Sequence, residues 1–267
     1  MLSLTLHPWM LFVVFFVGLI VVVETGIRFR LASPDSSDEE RHSLIRSARE
    51  GLTVLLSFLL GFALPMTLPH YELRRDLMIE EANAIRTVDQ RAQMLPEPFR
   101  GRMIELLRDY ADARVEFGNA SNDEAVEAAS ARAKSLQSEM WQDEVAFVQQ
   151  TPNFGITPIV ATSLGNLADL NEQRLAAYER RIPGTIWLVL TLISVLACLV
   201  VGYSMRRRLI LAMVVLPLTV AIVLSLVSEL DNPRMGFIRV EQDSMLRLQA
   251  ALKAEVVANE TTPAPKP

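Results

Sequence analysis

The sequence predicts an all-α, multi-pass membrane protein with four transmembrane helices and a helical water-soluble section between the second and third. Three observations carry this expectation. Hydrophobic residues make up 51% of the 267 positions against 21% charged, and they gather in blocks. Four of those blocks are about 19 residues long and almost free of formal charge, enough for a helix to cross roughly 30 Å of hydrocarbon. Between the second and third blocks, apolar residues recur at spacings of three and four, and no alternating strand pattern appears. The chain divides accordingly. Residues 1–69 hold the first two spans with a short polar connection, and 70–183 the soluble bundle. Residues 184–228 hold the last two spans, and 229–267 a C-terminal helix with a disordered tail.

The first span runs from about Trp9 to Ile27, with Trp9 at the place of an interfacial aromatic anchor. A cleaved signal peptide is the competing reading. It lacks a basic n-region and a small-residue cleavage site, and the apolar run is long. Glu24, about a turn from the interface, can snorkel to water. The connection that follows centres on the acidic run Ser33 to Glu40. Ser37 and Glu40 have capping-box spacing, so a short helix from Asp38 is expected to lead into the second span. The acidic run suits a helix start better than a cation site.

In the second span, Val54, Phe58 and Phe62 recur every four residues and stack on one face. Pro65 and Pro69 remove backbone donors and are expected to kink the exit. Beyond them the helix continues in water, with Leu77, Ala84, Val88, Ala92 and Leu95 on one stripe. Glu80, Glu81 and Arg91 stand on or beside that stripe, where charges need partners or water. Arg74, Arg75, Asp76, Asn83, Arg86 and Asp89 take the remaining surface, with Arg86 spaced to pair with Asp89. Glu80, Glu81, Asn83, Arg86 and Arg91 are therefore the candidate polar network. Either an inter-helix salt bridge or a flexible stem reaching water accounts for them, or else a polar site or an ion-conducting vestibule.

This segment resembles a known family. Leu60-Gly61-Phe62, Tyr71, Arg74-Arg75, the run Glu80 to Ile85, Arg91 and Leu95-Pro96 are similar to the bestrophin-like family of bacterial four-span membrane proteins. Leu230-Asp231-Asn232-Pro233 and the later Gly236 are a second match. The resemblance implies a membrane protein whose second span, by analogy with bestrophin anion channels, narrows a pentameric pore with apolar side chains. Val54, Phe58 and Phe62 match those positions here. His70-Tyr71 stand where a bestrophin has Arg-Trp, and the acidic calcium-binding cluster of animal bestrophins is absent, so calcium gating is not implied.

Pro96-Glu97-Pro98 is expected to end the stem helix. A second soluble helix carries Met103, Leu106, Tyr110, Ala113 and Phe117 on one face, and Gly118-Asn119 closes it. Ser121-Asn122-Asp123 offers the next N-cap. The third helix carries Val126, Ala129, Ala133, Leu136, Met140 and Phe147, and residues 151–155 break it. The fourth, from about Pro158 to Arg181, carries Val160, Leu164, Leu167, Leu175 and Tyr178. Each has a single apolar face, so they must bundle with one another or with neighbouring subunits.

The third span runs from about Thr185 to Ser204, followed by the basic turn Arg206-Arg207-Arg208. The fourth runs from about Leu209 to Ser228, with Pro217 inside it. Asp231, Asn232 and Pro233 then form an interfacial turn. Ile238, Met245, Leu248 and Leu252 mark a last helix, and Asn259 to Pro267 reads as disordered.

The expected setting is the bacterial inner membrane. Four spans put both short connections on one side and the soluble section with both termini on the other. The connections carry Arg28, Arg30, Arg41, Arg46, Arg49 and the Arg206–Arg208 triplet, so the positive-inside rule places them in the cytoplasm. The resemblance points the other way, and the side of the soluble section stays open with the charge rule favoured.

A net charge of −5 without an aromatic-interleaved basic patch excludes nucleic acid as a partner. Three histidines and one cysteine leave little room for metal or thiol chemistry, and Cys198 lies inside a span. His7, His42 and His70 are scattered, no nucleophile has a recognisable base, and no phosphate-cradling loop is present, so neither a cofactor nor an enzymatic activity is expected. The remaining partners are membrane lipid, further copies of the chain and an inorganic ion. Two functions stay open: an oligomeric ion (anion) channel with an apolar neck, and a non-conducting sensor, scaffold or assembly protein acting through its soluble helices.

Overall fold

The computed structural model describes residues 8–32, 39–151, 154–205, 210–232 and 240–261. The described residues form the helices α1 (Pro8–Ala32), α2 (Glu39–Ala92), α3 (Phe99–Asn119), α4 (Asp123–Gln150), α5 (Thr157–Glu179), α6 (Gly184–Ser204), α7 (Ile210–Asp231) and α8 (Asp243–Thr261). No strand occurs among the described residues. Among the described residues, four segments contain a helix long and apolar enough to cross a membrane, Trp9–Ala32, Glu40–Ala92, Thr157–Ser204 and Met213–Asp231. The chain forms two compact units.

The first unit takes Met1–Tyr71 and Arg180–Arg239. Its spans bury one side and leave the other apolar, as lipid-facing helices do: Leu19, Val23 and Ile27 are buried on α1, whereas Val13, Val14, Val17 and Val21 are exposed. The core adds Leu56, Leu60 and Ala63 of α2, Leu190 and Ala197 of α6, and Val220, Leu224 and Val227 of α7. Lipid tails are as apolar as leucine, so close backbone approach must hold such helices together. Gly26 and Gly202 supply it. A Cβ on Gly26 would run into the Leu199 carbonyl, and one on Gly202 into the Val23 carbonyl. Glu24 pairs with Arg28 one turn on, at 3.2 Å.

The helix expected to lead into the second span runs into it without a break, while Ser37 and Asp38 at its expected start lie outside the described residues. Helix α2 is continuous from Glu39 to Ala92 and includes both Pro65 and Pro69. Each proline removes one backbone donor, and the remaining ladder of a 54-residue helix tolerates the loss.

The second unit takes Glu72–Glu179 and Val240–Pro267. α3 packs on α4 and α8, and α4 on α5. Ile85 and Val88 of α2, Leu107 and Tyr110 of α3, Met140 and Phe147 of α4, Leu167 of α5 and Met245 of α8 form one core. The stripes at spacings of three and four turn inward because only they can bury a continuous face. Helix α2 ends at Ala92, four residues before Pro96, in a turn closed by Met94 and Leu95 N–H groups on the Arg91 and Ala92 carbonyls. Asn122 caps α4, its side-chain oxygen accepting from Ala125 N–H at 2.7 Å. Phe147 holds Phe99 and Phe154 edge-on, at centroid distances of 5.1 and 5.3 Å. The last helix reaches Thr261, past the expected start of disorder at Asn259. Arg206–Arg208, Pro233, Gly236 and Ile238 lie outside the described residues.

Candidate functional site

Helix α2 carries every candidate residue but the interfacial turn, and its periodicity sorts them. In the first unit, Leu56, Leu60, Ala63 and Thr67 face inward. Val54, Phe58 and Phe62 lie on the opposite side, 69%, 60% and 56% exposed. The Phe58 and Phe62 rings touch, with centroids 4.6 Å apart and planes tilted by 47°. Gly61, between them, has open space where a Cβ would stand.

In the second unit the five polar candidates separate. Glu81 alone is fully buried. Its carboxylate accepts from the Tyr110 hydroxyl at 2.7 Å and pairs with Arg114 Nε at 2.7 Å, Arg114 Nη2 at 3.2 Å and Arg174 Nη1. Both guanidiniums lie over the Phe117 ring, 4.5 and 5.4 Å from its centroid. Gln137 donates to the Tyr110 hydroxyl and the Leu167 carbonyl, each at 3.3 Å, and Asn171 donates to Gln137 Oε1 at 2.9 Å. Three helices, α2, α3 and α5, thus meet on one carboxylate, and α4 joins them through Gln137 on the Tyr110 hydroxyl. Burial by itself would raise the Glu81 carboxyl, but the charges of Arg114 and Arg174 and the Tyr110 hydroxyl outweigh it and hold the group below its ordinary value. Tyr110 is pushed well above its ordinary value, by burial first and by the Glu81 charge next.

Glu80, Asn83 and Arg91 line a different feature, an open polar cleft of about 440 Å³ between α2 and α5, together with Asn166 and Asp169. Arg91 donates to the Ile159 carbonyl at 2.9 Å. Arg86 is exposed and joins neither group. Two residues assigned to the surface by periodicity are buried instead. Arg74 donates to the Ala177 carbonyl at 3.1 Å, and Asp89 accepts from Gln93 at 3.2 Å. The neighbouring helices wrap more of α2 than one apolar stripe covers, which encloses these two positions.

Of the three residues expected to form an interfacial turn, Asp231 makes a defined contact, and Pro233 lies outside the described residues. Asp231 ends α7, is buried, and accepts from the Ile182 N–H at 2.8 Å, just ahead of α6. The N–H of Asn232 bonds to the Ser228 carbonyl.

Arg114, Arg174 and Glu144 are not among the sequence candidates. Arg114 lies at helical spacing from Tyr110 and Phe117, and Arg174 from Asn171 and Leu167, so the signal was a long polar side chain on a packing face. Glu144 occupies the same kind of position between Met140 and Phe147. It is 2% exposed, and neither carboxylate oxygen has a hydrogen-bond partner among the described residues. Burial pushes its carboxyl up to about 6. Among the described residues no group of three or more His, Cys, Asp or Glu is placed to hold a metal ion.

Four apolar spans joined to a soluble bundle of helices define a multi-pass helical membrane protein. Residues 10–245 match the Bestrophin-like domain, and the chain belongs to that family. Two solved structures share its fold. One is a membrane protein crystallised with a proline-to-alanine substitution, at TM-score 0.64 and 13% identity, covering 94% of this chain and 99% of that one. The other is a bacterial bestrophin homolog from Klebsiella pneumoniae with a leucine-to-threonine substitution, at TM-score 0.63 and 14% identity, covering 96% and 99%. No curated protein matches the sequence.

Proposed function

We propose that this chain is the subunit of a homo-oligomeric ion channel of the inner membrane, with second spans lining the pore and Val54, Phe58 and Phe62 forming its apolar neck. The observation that carries the reading is the two-sidedness of α2. One face seats in the helix bundle through Leu56, Leu60 and Ala63, while the face bearing Val54, Phe58 and Phe62 is left outward. In a ring of copies that face lines an axis, and side chains four residues apart form successive constrictions about 6 Å apart. A narrow apolar column resists wetting, so its resting conductance is small. The bestrophin-like family membership supports a channel over an enzyme. The buried Glu81 cluster is assigned to holding the helices together, since no path for an ion reaches a fully enclosed carboxylate.

The test is current through purified protein reconstituted in a bilayer, with subunit number measured in detergent. Phe58→Ala and Phe62→Ala widen the column and raise conductance. Val17→Ala, on the exposed face of α1, leaves it unchanged. Absence of current from both the wild type and Phe58→Ala, in assembled protein, replaces this reading with that of a non-conducting sensor or scaffold.

A further inference from the structure

The second unit holds a space that neither the Glu81 cluster nor the apolar neck uses. It is the polar cleft of about 440 Å³ between α2 and α5, within the range of small-molecule sites, roughly 300–1,000 Å³. The two helices run antiparallel along it. Arg91 bonds to the Ile159 carbonyl at one end, and Glu81 pairs with Arg174 towards the other. Glu80 precedes Arg91 by 11 residues, and Asp169 follows Ile159 by 10. At roughly 1.5 Å per residue, both carboxylates therefore stand about 15 Å along their helices from the Arg91 contact. The cleft is acidic at one end and basic at the other.

Its charged groups are available to a ligand. Glu80 and Asp169 are exposed, and neither has an ion-pair or hydrogen-bond partner among the described residues. Arg91 uses one Nη donor on the Ile159 carbonyl, and its other donors have no partner among those residues. Between the two ends, the exposed side-chain amides of Asn83 and Asn166 line the cleft, and each carries both donors and an acceptor. A bare cation at the carboxylates would leave Arg91 and most of the space unused. The complementary ligand has an ammonium for the carboxylates, amides for Asn83 and Asn166, and a carboxylate for Arg91. An extended chain advances about 3.5 Å per residue, so three or four residues, with the reach of the Arg91 side chain, cover the distance.

We propose that the cleft between α2 and α5 binds a short peptide with free termini, about three or four residues long. Its ammonium group lies between Glu80 and Asp169, its carboxylate at Arg91, and its main-chain amides against Asn83 and Asn166. A single amino acid carries the same two charges but is too short to place both. The inference does not rest on the pore reading, because it holds whether or not the apolar neck conducts.

The experiment is isothermal titration of the full chain in detergent with trialanine, N-acetyl-trialanine, trialanine amide, free alanine and putrescine. Trialanine binds the wild type, and blocking either terminus or shortening to alanine weakens binding roughly tenfold, the loss of one charge-assisted pair. Glu80→Gln and Asp169→Asn weaken trialanine by a similar factor, yet bind N-acetyl-trialanine as the wild type does. Arg91→Gln weakens trialanine and binds its amide as the wild type does. A merely structural role for these residues would weaken every ligand alike. Melting without peptide checks that each variant is folded; should Arg91→Gln fail, the two acidic variants, at exposed positions, decide. Absence of trialanine binding by the wild type overturns the proposal. So does putrescine binding as tight as that of trialanine, which marks a cation site only, or an equal loss of all ligands in the folded variants.

Discussion

Replacing Glu144 by glutamine should stabilise the protein at neutral pH and do almost nothing in acid. The side chain sits on the inner stripe of α4, 2% exposed, with neither oxygen partnered among the described residues. Its carboxyl is lifted from an ordinary 4.5 to about 6. Between those values the folded state keeps a proton that the unfolded state has lost, so stability falls as pH rises through that window. Above pH 6 the full cost is in place. At about 1.4 kcal/mol per pH unit, ionised Glu144 costs the folded state about 2 kcal/mol. Glutamine has the same shape and never ionises, so Glu144→Gln recovers up to that amount at pH 7.5. For a chain of this size, about 2 kcal/mol corresponds to a melting shift of roughly 4–8 °C. The assay is thermal unfolding in detergent of wild type and variant at pH 7.5 and pH 4. A gain of equal size at both pH values, or a loss at pH 7.5, refutes the reasoning. Either result would mean that the carboxyl is partnered or wetted in the folded protein.

The Glu81 cluster responds in the opposite sense. Its depressed carboxyl contributes stability above the ordinary value near 4.5 and loses it as pH falls through the folded value, so α2, α3 and α5 should loosen in acid. Glu81→Ala strands Arg114 and Arg174 in the core and should cost about 3–5 kcal/mol, whereas Glu80→Ala, at an exposed position, should change melting by less than about 0.5 kcal/mol; comparable small shifts for both would sink this account. Gly202→Val should separate α1 from α6 and lower recovery of folded protein from the membrane, since the new side chain meets the Val23 backbone. Gly61→Val, in open space on α2, serves as its control, and equal recovery of the two variants would show that the close crossing is not needed.

The family's helical character was legible because two solvents each imposed one rule. Hydrocarbon demands about 20 apolar residues with all backbone groups bonded internally. Water demands a single apolar face at spacings of three and four. The stripe positions Met103, Leu106, Tyr110, Ala113 and Phe117, and Val126, Ala129, Ala133, Leu136, Met140 and Phe147, obey the second rule and are buried. Helix ends were less legible: α2 stops at Ala92, because the turn is closed by the Arg91 and Ala92 carbonyls before the prolines are reached.

The polar residues mark where sequence alone stops. Glu81 could be singled out by its place on a stripe, but nothing in the chain order links it to Arg114 and Arg174, 33 and 93 residues away. Periodicity reads one helix against an unspecified neighbour. It left Arg74 and Asp89 on the surface, because the width of a buried face depends on how many helices surround it. The sequence by itself determined the class of helix at each position and which solvent it meets, since both follow from composition and local spacing. Only the tertiary structure decided which charges share a carboxylate, which lie in an open cleft, and which apolar face of α2 is left outward. Those outcomes depend on the rotation of each helix about its axis, and long-range packing sets that rotation.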